Sequence, residues 1–317
     1  MTNKEKLMVI IGPTAVGKTR LSIELAKRYN GEIISGDSMQ IYKGMDIGTA
    51  KITQQEMDGI PHHLIDIRDP EQDFSVAEFQ QLVREKITEI TSRHKLPIIV
   101  GGTGLYIQSA IYDYQFSAAP QDPDFRCNLE QRAEKEGNEV LHDELAKIDQ
   151  QSANEIHPNN VRRVIRALEI YHCTGQTREE TQANQSPELL YEIALIGLTM
   201  DREQLYSRIN QRVDIMIEDG LISEVERLFN SGLRDSQSIQ AIGYKEIYEY
   251  LNDRVTLPEA IEKLKQNSRR YAKRQLTWFR NKMGVEWFDI GDGQQFEKKI
   301  TEISAYIEGK LKIKSNT

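Results

Sequence analysis

Two kinds of apolar pattern alternate along the chain. Short continuous runs at residues 7–11, 32–35, 64–67, 97–100 and 194–198 read as buried strands. Between them apolar residues recur at helical spacing, as in Leu21, Leu25 and Ala26 behind the first run. Strands that alternate with helices predict an α/β fold with a doubly wound parallel sheet. In such sheets ligands sit beyond the carboxyl ends of the strands. The alternation breaks over residues 115–192, a stretch rich in Gln, Asn, Glu and Asp that reads as polar helices with loops. It predicts a helical insertion domain between the two parts of the core, residues 1–114 and 193–317. After residue 200 the pattern is mostly helical, beginning near Glu203. A stripe of Phe296, Ile300, Ile303, Ile307 and Leu311 predicts a last helix packed on the core.

The first strand runs into Gly12-Pro13-Thr14-Ala15-Val16-Gly17-Lys18-Thr19, the G-x-x-x-x-G-K-T spacing of a P-loop. Glycines let the backbone wrap an anion, and the N–H groups of the loop and of the following helix point at it. Lys18 adds a mobile positive charge, and the Thr19 hydroxyl is the candidate ligand for Mg2+. The motif predicts a bound di- or triphosphate without separating a kinase from an NTPase or a pyrophosphate-releasing enzyme.

Two further strand ends carry polar side chains. Asp37-Ser38-Met39-Gln40 follows Gly36, and a carboxylate there can hold magnesium, cap a helix or act as a general base. Gln40 carries an amide of the kind that pairs with adenine. Thr103 lies in Gly101-Gly102-Thr103-Gly104, where its hydroxyl can reach the site or cap the next helix. His62-His63 carries no metal site, because adjacent side chains point apart and no third ligand is spaced nearby. His157-Pro158-Asn159-Asn160 reads as a helix start.

Composition narrows the class. With 38% hydrophobic and 28% charged residues the chain is an ordinary globular protein, and no apolar run approaches the ~20 residues of a membrane span. The first residues carry no signal-peptide core, and Cys127 and Cys173 form no C-x-x-C pair, so a cytoplasmic protein without a disulfide framework is expected. A net charge of −8 excludes polyanion binding by overall charge. Basic groups are nevertheless gathered in two places. Arg162, Arg163 and Arg166 lie off an apolar helical face. Arg269, Arg270, Lys273, Arg274, Arg280 and Lys282 interleave with Tyr271, Trp278 and Phe279. Cations beside aromatics suit phosphates and stacked bases, and they also suit a solvated helix face.

Seven segments together resemble the bacterial tRNA dimethylallyltransferases, or tRNA isopentenyltransferases: GPTAVGKT, GDSMQIYKGMDIGTAK, HHLID, GGTGLY, HPNNVRRVIRALEIYHCTG, QAIGYKE and YAKRQLTWFR. They run from Gly12 to Arg280, and GGTGLY and YAKRQLTWFR in this order are far more specific than the P-loop. The resemblance implies transfer of a dimethylallyl group from dimethylallyl diphosphate to N6 of adenine at tRNA position 37, beside the anticodon. It implies that Gly12 to Thr19 bind the diphosphate with Mg2+ on Thr19. Asp37 is then the general base, with Thr103 at the reacting end and Arg212 on the diphosphate. Asp37, Ser38, Met39, Gln40 and Thr103 form the pocket of a flipped base. Contacts to the tRNA anticodon stem-loop fall, by resemblance, on Arg126, Arg162, Arg163, Val164, Ile165 and Arg166. Others fall on Gln240, Gly243, Tyr244 and Lys245, and on Lys273, Arg274, Gln275, Trp278 and Arg280. A monomer is the expected state, with no membrane partner. The rival readings are an adenylate isopentenyltransferase acting on a free nucleotide and a P-loop kinase of small metabolites.

Overall fold

The structure, a computed structural model, describes residues 4–114, 116, 122–178, 180, 188–291 and 296–316. The chain divides into two compact units, Met1–Tyr112 with Leu189–Thr317, and Asp113–Glu188. Residue 115, where the insertion is expected to begin, lies outside the described residues.

The larger unit is built on a six-stranded parallel sheet. Its strands are β1 (Lys6–Ile11), β2 (Gly31–Ser35), β3 (His62–His63), β4 (Leu96–Gly101), β5 (Glu192–Thr199) and β6 (Glu286–Asp289). Their order is β3-β2-β4-β1-β5-β6. Leu7 to Ile11 of β1 are wholly buried because helices cover both faces, which explains the unbroken apolar run. Each such side chain contributes roughly 1.5–3 kcal/mol on burial. Helix α1 (Lys18–Arg28) buries Leu21, Leu25 and Ala26 on one face, and α3 (Val76–Ser92) buries Phe79, Val83, Ile87 and Ile90 on the other. The short α2 (Gln54–Met57) carries a capping box between Thr53 and Glu56, and α4 (Gly104–Ile111) follows β4.

One expected strand fails, and one short strand goes unforeseen. The run at 64–67 is not a strand: β3 ends at His63, and Leu64 and Asp66 adopt φ of 61° and 55°. The Asp66 and Ile67 N–H groups donate to the carbonyls of Gln40 and Ile41, so this backbone serves a loop rather than the ladder. Conversely, the stretch after residue 200 contains β6, whose four residues are too few to show a period against their helical surroundings.

The smaller unit holds α5 (Pro123–Glu136), α6 (Asn138–Ile148), α7 (Gln150–Glu155) and α8 (Val161–Thr174) around Leu129, Leu141, Leu145, Val164, Ile165 and Leu168. The larger unit then continues with α9 (Arg202–Glu218), capped by Asp201, and α10 (Leu221–Asn230). After these come α11 (Tyr244–Leu251), α12 (Leu257–Lys282) and α13 (Phe296–Leu311). The last buries Ile300, Ile303, Ile307 and Leu311, as its stripe predicts. Among the described residues no helix is long and apolar enough to cross a membrane.

Candidate active site

The P-loop joins β1 to α1 at the carboxyl end of the sheet. Gly17 caps α1 with φ of 104° and no side-chain cap, which leaves the first-turn N–H groups directed at a ligand. Lys18 Nζ folds back to donate to the carbonyls of Gly12 at 2.9 Å and Pro13 at 2.8 Å. Burial, reinforced by the nearby Arg212 cation, lowers the Lys18 ammonium to about 7 against the opposing pull of Asp37. A half-buried cation with a depressed pKa of this kind gains most from an incoming anion. Burial also lowers Arg212, on α9, while Asp37 favours its charge.

Asp37 stands past the end of β2, where its Oδ1 accepts the Met39 N–H at 2.8 Å. The Gln40 amide is engaged: Ser35 Oγ donates to its Oε1 at 3.0 Å, and its Nε2 donates to the Thr49 and Ala50 carbonyls, both at 3.3 Å. Thr103 occupies the cap position of α4, but its hydroxyl caps nothing and instead approaches Ser38 Oγ at 3.5 Å. Burial and then the Asp37 charge push the Tyr271 phenol up to about 12, hydrogen bonds with Thr103 and Gln275 offsetting part of the rise. Tyr271 therefore stays a neutral donor.

Lys18, Asp37, Gln40, Arg212 and Tyr271 line one cleft with two joined lobes, which the Thr103 side chain does not line. A lobe of about 520 Å³ is lined by the P-loop with Lys18, Thr19, Gln40 and Gln275. An adjoining lobe of about 320 Å³ is lined by Met39, Ile209, Val213, Met216, Ile242 and Leu264, with Gln240, Lys245 and Arg274. Thr14, Asp37, Thr49, Ala50, Arg212 and Tyr271 face both. The arrangement suits an anion at one end, an apolar or planar group at the other, and a carboxylate at the junction.

The sequence-derived residues do not all face the cleft. Gln275 borders the larger lobe, but both ends of its amide are already engaged: its Oε1 accepts the Thr14 N–H at 2.9 Å and its Nε2 donates to the Gly102 carbonyl at 3.0 Å, tying the P-loop to the β4–α4 turn. Trp278 packs over Gly104, where a Cβ would come within 2.2 Å of its ring. Tyr244 and Gly243 are buried, whereas Gln240, Lys273, Arg274 and Arg280 are exposed. In the smaller unit Arg162 and Arg163 are exposed, while Val164 and Ile165 belong to its core. Arg126 and Arg166 both pair with the fully buried Glu169, at 2.7 and 2.5 Å. Burial pushes the Glu169 carboxyl up, but hydrogen bonds from Arg126, the Asp122 backbone and Arg166 prevail and hold it below the usual range.

Sequence reasoning missed Glu224 and the inward role of Gln275. Glu224 falls on the apolar stripe of Leu221, Val225 and Leu228, a placement that marks a carboxylate buried with partners.

A parallel sheet with a P-loop behind an inner strand, and a cleft beyond its carboxyl ends, defines a P-loop α/β enzyme. The family described as IPP transferase matches residues 40–282. A tRNA dimethylallyltransferase of Anoxybacillus flavithermus is 65% identical over 98% of this chain and 99% of its own. One from Geobacillus thermodenitrificans is 64% identical with the same coverage. Among solved structures, a tRNA isopentenylpyrophosphate transferase from Bacillus halodurans superposes with TM-score 0.75 at 58% identity, covering 98% of this chain and 97% of that one. A eukaryotic dimethylallyltransferase acting on tRNA gives TM-score 0.84 at 31% identity, covering 99% and 81%. The chain belongs to the IPP transferase family.

Proposed function

We propose that this enzyme transfers a dimethylallyl group from dimethylallyl diphosphate to the exocyclic N6 of adenine at position 37 of tRNA, releasing diphosphate. The observation that carries the reading is the two-lobed cleft. An anion cradle with Lys18 and Arg212 adjoins an apolar lobe, and Asp37 stands where they meet.

Breaking the allylic C–O bond leaves cationic character on carbon and negative charge on the departing diphosphate. The P-loop N–H groups, Lys18 and Arg212 meet that negative charge where it develops. The adenine amine is a weak nucleophile because its lone pair is delocalised into the ring, and Asp37 takes its proton as the C–N bond forms. The Tyr271 hydroxyl, hydrogen-bonded to Thr103, orients the reacting end, and the water-poor apolar lobe shelters the prenyl carbon. Magnesium needs few protein ligands in such a loop, since it keeps waters and takes phosphate oxygens. The exposed hydroxyl of Thr19 at the cleft fits that demand. When bound there, the ion would neutralise diphosphate charge.

On the RNA side the exposed Arg162, Arg163, Lys273, Arg274 and Arg280 supply phosphate contacts to the anticodon stem-loop. Arg126 and Arg166, held on Glu169, present fixed rather than mobile charges. The deciding experiment is mass spectrometry of digested tRNA after incubation with the enzyme, magnesium and dimethylallyl diphosphate. A five-carbon addition on the adenine beside the anticodon is expected. Prenylation of free AMP with unmodified tRNA would refute the assignment.

A further inference from the structure

A buried carboxylate outside the proposed chemistry holds one wall of the cleft. Glu224, on α10, is 5% exposed. Its Oε2 accepts the backbone N–H groups of Asp46 and Ile47, both at 2.9 Å. Its Oε1 accepts the Gly48 N–H at 3.1 Å and the Tyr244 hydroxyl at 2.5 Å. Four donors therefore meet the roughly four acceptor positions a carboxylate offers. The next two residues are held from the other side, by the Gln40 amide on the Thr49 and Ala50 carbonyls. Packing closes the arrangement, since a Cβ on Gly48 would lie 2.5 Å from the Tyr244 ring. Segment 46–50 is thus fixed through its N–H groups by Glu224 and through its carbonyls by Gln40, and Thr49 and Ala50 are the part of it that faces both lobes.

We infer that Glu224 is a positioning residue for prenyl transfer: it sets the junction between the two lobes, and so the approach of the acceptor amine to the prenyl carbon. Displacing reacting groups by about 1 Å costs on the order of a hundredfold in rate. No P-loop group takes part in this hydrogen-bond network, so diphosphate affinity should move far less than turnover. The inference rests on the prenyl-transfer reading above.

The test compares wild type, Glu224→Gln, Glu224→Ala and Val225→Ala. The last trims the same helix at a buried position that makes none of the hydrogen bonds to segment 46–50. Turnover is measured with tRNA and dimethylallyl diphosphate and normalised to folded protein, and inorganic pyrophosphate as competitor reports P-loop affinity. Glu224→Gln offers one acceptor oxygen and turns an NH2 toward N–H donors, so kcat should fall about tenfold, and Glu224→Ala about a hundredfold. Pyrophosphate inhibition should stay within about twofold of wild type. Val225→Ala should melt lower yet turn over normally. If Glu224→Ala does not fold, Glu224→Gln alone decides. Wild-type kcat in Glu224→Gln, a deficit that vanishes on normalisation, or a parallel loss of pyrophosphate affinity overturns the inference. Failure of the wild type to prenylate tRNA would instead overturn the functional reading beneath it.

Discussion

Replacing Gln275 with leucine removes one amide and strands two backbone groups. Thr14 N–H loses its 2.9 Å acceptor and the Gly102 carbonyl its 3.0 Å donor, the first half-buried and the second buried between the P-loop and the β4–α4 turn. Each orphaned group costs about 1–3 kcal/mol, and leucine returns part of that as apolar burial, which leaves a net loss of about 2–4 kcal/mol. Gln275→Glu sharpens the test. It keeps an acceptor for Thr14 but sets an oxygen against the Gly102 carbonyl, and it adds negative charge beside the lobe that receives the diphosphate. Equilibrium urea unfolding reads the stability of both variants, and steady-state kinetics read KM for dimethylallyl diphosphate. Both variants should be destabilised. The leucine variant should raise KM about threefold to tenfold through a loosened P-loop, and the glutamate variant more, because like charges repel across a desolvated gap. Unfolding free energy within about 0.5 kcal/mol of wild type, together with an unchanged KM, would refute the role of this bridge.

Asp37→Asn should lower turnover by a factor on the order of 10² while tRNA binding holds, and weakened binding with normal turnover would remove Asp37 as the base. Because Lys18 sits at about 7, pyrophosphate affinity should decline as pH rises above about 7, beyond what the ligand's own titration explains. An equal decline in Lys18→Ala would contradict this. Replacing the exposed Arg162 and Arg163 together by Glu should weaken tRNA binding and flatten its salt dependence without changing pyrophosphate inhibition, and unaltered tRNA binding would sink the interface. Glu32 is buried, which raises its carboxyl, but Lys95, His63 and Arg93 outweigh burial and hold it at about 2. A depressed carboxyl contributes stability above its unfolded value of 4.5 that is lost as pH falls toward 2. The contribution is about 2–3 kcal/mol after allowing for the solvent-exposed partners. Urea unfolding at about pH 6 and pH 3 should show more than half of that drop in wild type and much less of it in Glu32→Gln.

The P-loop end of the cleft was legible because its signal is local. A glycine-rich turn between an apolar run and a helix can do little else, and a parallel sheet brings Asp37 and Thr103 to the same edge as Lys18. The direction of individual side chains was not legible. Gln275 and Arg274 are neighbours in one basic-aromatic segment, yet one is sealed against the P-loop and the other is exposed. That choice belongs to the packing of α12 against the β4–α4 turn. Arg162 and Arg166 read alike in sequence, and only Glu169 on the next helical turn separates the free cation from the paired one. The run at 64–67 mimicked a strand because apolar content alone does not reveal where the backbone N–H groups go.

Helix α12 runs unbroken from Leu257 to Lys282, with its only proline in the first turn and no glycine. At 1.5 Å per residue it is a rod of about 40 Å. One face of that rod holds Tyr271 in the cleft and Gln275 against the P-loop, and the opposite face carries Lys273 and Arg280 to solvent. A stiff rod has no joint at which to absorb a load. A load placed on its outer face would therefore be passed directly to Tyr271 and Gln275 on the inner one.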